Sequence, residues 1–364
     1  MRFTTRPEIK GRFGVCASTH WIATGVGMSV LERGGNAADA AVAMGFTLAI
    51  VEPHLCGVGG DLPLLVWRAE DEAPQVLCAQ GPAPAGATLA HMRGEGLTRI
   101  PGSGLLATVI PGAMDGWLKL GQEHGTWELA DLLAPAIAYA RDGHPILPSA
   151  AGVIDGLAEF FAAEWPTSAA VWLPDGRAPN PWQEVRNPDL AATLERIVAE
   201  GAGAATREAR LEKSRDAVMR GFVAEAVGAF ATGTEAMDAS GVRRRGVLSA
   251  EDMAGYAAHW EAPLARSHRG WDVYKTGPWG QGPVLLQALG LAEAAGVFEV
   301  EPGSEAHVHL TIEAMKLAFA DREAFYGDSA EIPMDALLDP AHAAARAALI
   351  GEDASLDQRP SRLP

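Results

Sequence analysis

Along this chain apolar residues recur mostly at helical spacing, and short period-two or continuous apolar runs are set between those stretches. Residues 13–18 read as a strand and 19–33 as a helix stopped by Gly34, since glycine takes left-handed backbone angles that other residues avoid. Asn36 is placed to cap a second helix of small side chains over 37–49, with Asp39 near its positive end. So much alanine implies a closely packed neighbour. Glu52-Pro53 ends that helix, and the glycine loop Gly57-Val58-Gly59-Gly60-Asp61 feeds an apolar strand over 62–67, followed by its pair over 75–80. Helices are expected after Pro111 and over 128–141. The stretch 150–245 reads as mainly alanine-rich helix, for example 188–200 and 215–231. A strand over 270–275, the loop 277–283 and helices over 284–295 and 307–326 complete the pattern. In the last helix Ile312, Met315 and Phe319 share one stripe, which predicts a face turned to the core. The fold class expected is α/β, of the α+β kind.

Composition narrows this. A chain of 364 residues with 48% apolar and 21% charged residues can bury a large core. It carries no linker, low-complexity run or internal repeat, so 1–364 is expected to act as one domain. A formal net charge of −17 argues against nucleic acid or an anionic membrane as partner, because phosphate binding needs clustered Lys and Arg. The only basic run, Arg243-Arg244-Arg245, reads as a solvated loop. The apolar stretch 40–51 is too short to span a bilayer, and the start MRFTTRPEIKGRFG lacks the apolar core of a secretory signal. Cys16, Cys56 and Cys78 cannot all pair and show no metal spacing; free buried thiols in a cytoplasmic protein are expected.

Several residues invite chemistry. The 57–61 loop could cradle an anion through backbone N–H groups, but it lacks a P-loop lysine and precedes a strand, so a tight backbone crossing near a substrate cleft fits better. His309 and Glu313 share a helix face near His307, without the H-E-x-x-H spacing or a third ligand, so the reading is a buried histidine bonded to the backbone and no metal. Ser18, Thr19 and Ser249 offer hydroxyls, yet no G-x-S-x-G elbow frames a serine nucleophile.

The order of motifs is more specific. GGNA then DAA at 34–41, Glu52-Pro53 and the glycine loop before a strand together resemble the large-subunit signature of the γ-glutamyltransferase family. So do Ile110-Pro111-Gly112-Ala113, Leu132-Leu133-Ala134-Pro135-Ala136, the G-x-L-x-x-ED-x-x-x-Y segment from Gly246 to Tyr256, and HLTIEAMKLAFADREAFYGD from His309 to Asp328. Any one is weak; five collinear matches are strong.

The resemblance implies an N-terminal-nucleophile (Ntn) hydrolase with a four-layer αββα sandwich, completed by a separate small subunit cut from the same precursor. The nucleophile is then the N-terminal threonine of that small chain, whose α-amino group can act as base. No catalytic residue lies in this chain, which ends about where family large subunits end, and no cofactor is implied. A small-molecule amide is the expected substrate, and heterodimers pairing into dimers are one expected assembly. In γ-glutamyl-specific members an R-E-x-A-P strand supplies an arginine that grips the substrate's α-carboxylate. Here the segment is Ala79-Gln80-Gly81-Pro82-Ala83-Pro84, so Gln80 stands in its place and is the expected substrate-binding residue. The family's GGGGF is Gly59-Gly60-Asp61-Leu62-Pro63, and its PPSSGG is Gly277-Pro278-Trp279-Gly280-Gln281-Gly282. These departures, with Ala113-Met114-Asp115-Gly116-Trp117, are similar to the acylase and amidohydrolase branches. A true γ-glutamyltranspeptidase (glutathione hydrolase) is the alternative, and a non-catalytic binding remnant is the alternative of another class.

Overall fold

The computed structural model describes residues 8–329 and 331–363; the first seven residues of the N-terminal stretch considered above, with 330 and 364, lie outside the described residues. The chain divides into two compact units, Met1–Leu62 with Ala79–Ala258, and Pro63–Cys78 with His259–Pro364. No helix among the described residues is long and apolar enough to cross a membrane.

The first unit is helical. Helix α1 (Trp21–Glu32) packs on α2 (Ala37–Val51), which also packs on the Ala113–His124 and Leu129–Asp142 helices. Local chemistry explains these boundaries. His20 caps α1 by accepting the Ile22 N–H at Nδ1, and Gly34, at φ +92°, lets the chain turn away. Asn36 and Asp39 form a reciprocal capping box on α2. Asp39 is fully buried and also accepts the Thr126 N–H, the Thr126 hydroxyl and the Trp127 N–H, while Asn36 Nδ2 donates to the His124 carbonyl. One side-chain pair therefore starts a helix and ties it to the 125–127 turn. The small side chains of α2 do admit close neighbours: a Cβ on Gly45 would overlap the Trp117 indole. Farther along, the expected 215–231 helix is two helices, Arg207–Met219 and Phe222–Gly233. Gly221 leaves helical angles between them (φ −112°, ψ −145°), and glycine is a weak helix former.

The second unit holds a three-stranded sheet in which β1 (Leu62–Val66) neighbours β2 (Gln75–Ala79), and β2 pairs antiparallel with His259–Glu261. Beside it, Leu264–His268 and Trp271–Lys275 form a hairpin whose turn residues Arg269 and Gly270 both have positive φ. That is a twist-matched hairpin turn, and it gives the strand expected over 270–275, observed as Trp271–Lys275, a partner. The Gly282–Ala294 helix packs on Glu305–Phe325 and Pro340–Ala347 around Val284, Leu291, Ala314, Leu317 and Ala318.

Two expectations fail instructively. The stripe of Ile312, Met315 and Phe319 is not core: these residues are 50%, 45% and 37% exposed and continue an exposed line from Val308. The core side of that helix is instead Ala314, Leu317, Ala318 and Ala320, with Glu313 and Asp321. Periodicity identified an apolar face but not what covers it. Residues 13–18, expected as a strand, form none: residue 13 lies in a bend and 14–18 carry no regular secondary structure and no backbone pairing among the described residues. Their exposure alternates, with Phe13, Val15 and Ala17 outward and Gly14, Cys16 and Ser18 inward. The alternation of exposure is that of a strand, without the regular structure or the hydrogen-bonded neighbour.

Candidate functional site

Gln80 sits where β2 leaves its sheet, and its surroundings are built by backbone packed on backbone. A Cβ on Gly81 would overlap the Ile110 carbonyl, and Ile110 N–H donates to the Pro82 carbonyl at 3.1 Å. A Cβ on Gly112 would lie 2.5 Å from the Ala79 carbonyl oxygen and 2.8 Å from the Tyr256 hydroxyl. One on Gly116 would overlap Ala79 Cβ. Only glycine permits these approaches. The 57–61 loop joins the same crossing, since Ala113 N–H donates to the Gly60 carbonyl at 2.9 Å. It is mostly exposed and acts as a crossing, as its spacing suggested. Gln80 itself is half-buried, and its side-chain amide makes no hydrogen bond among the described residues. The frame thus fixes the backbone at Gln80 and leaves its amide donor and acceptor without a protein partner among the described residues.

Behind the frame lies an ion pair that sequence reasoning missed. Asp115, 2% exposed, accepts Arg215 Nε at 2.8 Å and the Ala258 N–H at 2.7 Å. Arg215 also reaches Glu212 at 3.0 Å and Gln122 at 3.2 Å. Burial works against the guanidinium's charge, but its bonds to Asp115 and Glu212 outweigh it and raise its pKa. Asp115 is thereby a brace, with no oxygen left facing the Gln80 frame in this bonding pattern. Nothing in the local sequence announces a pairing across 100 positions.

The other candidates resolve into structural roles. Ser18 hydroxyl donates to the His20 carbonyl and meets Thr24, Thr19 bonds Glu52, and Ser249 forms a capping box with Asp252. None sits beside a base arranged to activate it. His309 Nε2 meets the Gly351 carbonyl at 2.8 Å, the backbone bond expected of it, and Glu313 is engaged by Lys316, Arg359 and the Ser355 N–H. Among the described residues no three His, Cys, Asp or Glu side chains could hold a metal ion. The three arginines at 243–245 are not simply solvated. Arg243 pairs with Glu164, Arg245 with Glu235, and Arg244 is buried against Asp238 at 2.5 Å with Glu95 on its other side. None of the three cysteines is in a disulfide, and only Cys78 is buried, where all three were expected to be; Cys56 is exposed and Cys16 intermediate. Burial of its sulfur, then the Glu52 charge, raises the Cys56 pKa and keeps it a weak nucleophile. In the second unit, Trp279 Nε1 donates to Glu261 Oε1 at 2.7 Å and Gln281 Oε1 accepts from Arg322 at 2.6 Å, which pins the 277–282 loop.

Comparison with known proteins places this arrangement. The family model described as Gamma-glutamyltranspeptidase matches residues 23–363. The chain is 31% identical over 348 residues to the Glutathione hydrolase-like YwrD proenzyme of Bacillus subtilis (strain 168), covering 94% of this chain and 61% of that one. It is 33% identical over 355 residues to the Acylase ACY 1 proenzyme of Pseudomonas sp. (strain SE83), covering 93% and 59%. The solved structure of LmbA2991HD superimposes with a TM-score of 0.93 at 49% identity, over 99% of this chain and 61% of that one. The chain thus spans about three-fifths of the length of the relatives it matches.

Proposed function

Because the chain belongs to the gamma-glutamyltranspeptidase family and shares its α+β Ntn-hydrolase fold, we propose that it is the large chain of a self-processed amidohydrolase or acylase. Residues 1–364 would share one domain with a small chain from the same precursor, led by threonine. The likeness to proteins called proenzymes supports this. So do the 13–18 segment, which alternates in exposure and lies outside any sheet, and the exposed 308–319 stripe, each a surface suited to a further polypeptide. In the reaction, the threonine hydroxyl oxygen attacks the substrate's amide carbonyl, and its proton passes through the free α-amino group to the departing amine. Water, activated by the same amine, then cleaves the acyl-threonine ester. Three free thiols suit a cytoplasmic location, which we include in the proposal.

The observation that carries the choice of acyl group is Gln80. Its amide is half-buried, unpartnered and held by the 79–82 and 110–112 crossing, at the position where the resemblance expects an arginine. A guanidinium binds a carboxylate through two charge-assisted bonds that a neutral amide cannot match. Hydrogen bonds to charged groups contribute about 1.5–3 kcal/mol, so losing one such anchor weakens γ-glutamyl substrates about ten- to a hundredfold. Gln80 suits a neutral or carbonyl-bearing acyl group instead. The test compares a γ-glutamyl anilide with short neutral and oxo-acyl amides on the two-chain enzyme, before and after Gln80→Arg. The parent should favour the neutral compounds and the variant should regain the γ-glutamyl one. A parent that strongly prefers the γ-glutamyl anilide, with no gain in the variant, supports the second reading, a glutathione hydrolase, which the likeness to the YwrD proenzyme favours.

A further inference from the structure

The signature helix Glu305–Phe325 carries two carboxylates, Glu313 and Asp321, each 1% exposed. Burying two ionised groups is costly unless partners compensate. Their partners include the chain's own irregular final stretch. Glu313 Oε1 accepts the Ser355 N–H at 3.2 Å, and its Oε2 accepts Arg359 Nη2 at 2.7 Å. Lys316, also paired with Glu313, donates to the Ser355 carbonyl at 2.6 Å. Asp321 Oδ1 accepts the Ser361 N–H at 2.6 Å, and its Oδ2 accepts the Ser361 hydroxyl at 2.9 Å and Gln287 Nε2 at 3.1 Å. Arg346 links the two points, donating to the Arg359 carbonyl and approaching Asp321 at 3.5 Å.

Between 351 and 363 only Ser355, Arg359, Ser361 and Leu363 are less than fully exposed, and none of this stretch is helix or strand. It is held at points and is otherwise in solvent. The anchor residues 313 and 321 lie about 12 Å apart along the helix axis. Six extended residues reach about 20 Å, so 355 to 361 span the anchors with slack and run the same way as the helix. For Glu313, burial disfavours the charge, but the bonds from Lys316, Ser355 and Arg359 outweigh it and hold the carboxyl below its ordinary pKa.

We propose that Glu313 and Asp321 are positioning residues for maturation: a two-point clamp that sets the course of the chain leaving Leu363, so that the segment beyond it is delivered in register for self-cleavage. This rests on the self-processing reading above. It gives the acidic positions of the signature helix a role in presenting the cleavage segment, with no contact to substrate.

The test uses the purified full-length precursor. Ser355→Pro with Ser361→Pro removes both clamped N–H donors from the tail side and leaves the helix untouched. Asp321→Asn is the companion variant on the helix side, and Ser361→Ala retains the N–H. Three quantities are read: the rate of precursor cleavage on a denaturing gel, the melting temperature, and amide turnover per cleaved molecule. The double proline variant and Asp321→Asn should slow cleavage about tenfold or more. Melting should fall by a few degrees, because a buried carboxylate loses partners, while turnover per cleaved molecule stays at the parental value, and Ser361→Ala should be milder. Cleavage at the parental rate in the double variant overturns the clamp. So does a fall of turnover per cleaved molecule as large as the fall in cleavage rate, which marks a merely structural contact. A parental precursor that never cleaves overturns the self-processing reading itself, and the clamp's role falls with it.

Discussion

Asp39→Ala should be among the most damaging single substitutions outside the substrate frame, and its cost can be worked from four hydrogen bonds. The carboxylate accepts Asn36 N–H at 2.9 Å, Thr126 N–H at 2.8 Å, Thr126 hydroxyl at 2.7 Å and Trp127 N–H at 3.1 Å. Hydrogen bonds to a charged group contribute about 1.5–3 kcal/mol each, but four around one carboxylate are coupled and do not add. Breaking a buried charge network costs about 3–5 kcal/mol. Thr126 lies at the surface, so water can reach some of the abandoned donors. That places the expected loss near the lower end, about 3 kcal/mol. Asp39→Asn keeps the volume and one acceptor oxygen, but turns an amide NH₂ toward a donor, so it should lose about half as much. Asp131→Ala, which removes an exposed carboxylate without a recorded bond from the first turn of Leu129–Asp142, is the control and should stay within about 0.5 kcal/mol. The assay is urea unfolding of the assembled two-chain protein at constant m-value, supported by thermal melting, where an unfolding entropy of about 2.1 cal/mol/K per residue over 364 residues or more puts the drop at about 4 °C or less. If Asp39→Ala costs no more than Asp131→Ala, the carboxylate does not join α2 to the 125–127 turn as described.

Other outcomes follow from the same geometry. Phe319→Asp and Ile312→Asp should raise the solubility of the isolated chain and abolish its assembly with the small chain, checked by size-exclusion chromatography; unchanged assembly would mean the stripe is simply exposed. Gly81→Ala should lose activity, and with it several degrees of melting temperature, because the new Cβ meets the Ile110 carbonyl; a variant that melts and turns over like the parent would contradict that contact. Burial lowers the pKa of His20, with Glu52 opposing, and of His144, so the unfolded chain binds their protons first. Their contribution is fully present above the unfolded value of about 6.5 and is lost as pH falls through it, before the depressed carboxylates of Asp252 and Glu313 titrate. Urea midpoints should therefore fall from pH 7.5 to 5.5, and His144→Leu should flatten that slope.

What was legible in the sequence was local or collinear. Asn36 with Asp39 starts its helix where the sequence places it, because a capping box closes within one turn and needs no distant partner. The glycines at 81, 112 and 116 were visible as residues, but which carbonyl or side chain each one clears depends on chain brought from elsewhere. The same limit hid Asp115 and Arg215, whose bond crosses 100 positions, and the Ser355 and Ser361 contacts of the signature helix. The 13–18 segment and the 308–319 stripe show a different limit. The stripe was read correctly as an apolar face at helical spacing but assigned to the core, and 13–18 was expected as a strand and forms none among the described residues, because a hydrophobic pattern states that a surface prefers cover and not which polypeptide supplies it. Read that way, the two failures carry information: an apolar face at regular helical spacing is half-exposed here in a chain that spans three-fifths of its relatives. On the two-chain reading proposed above, a second polypeptide would cover the 308–319 stripe, which a self-contained fold would leave in solvent.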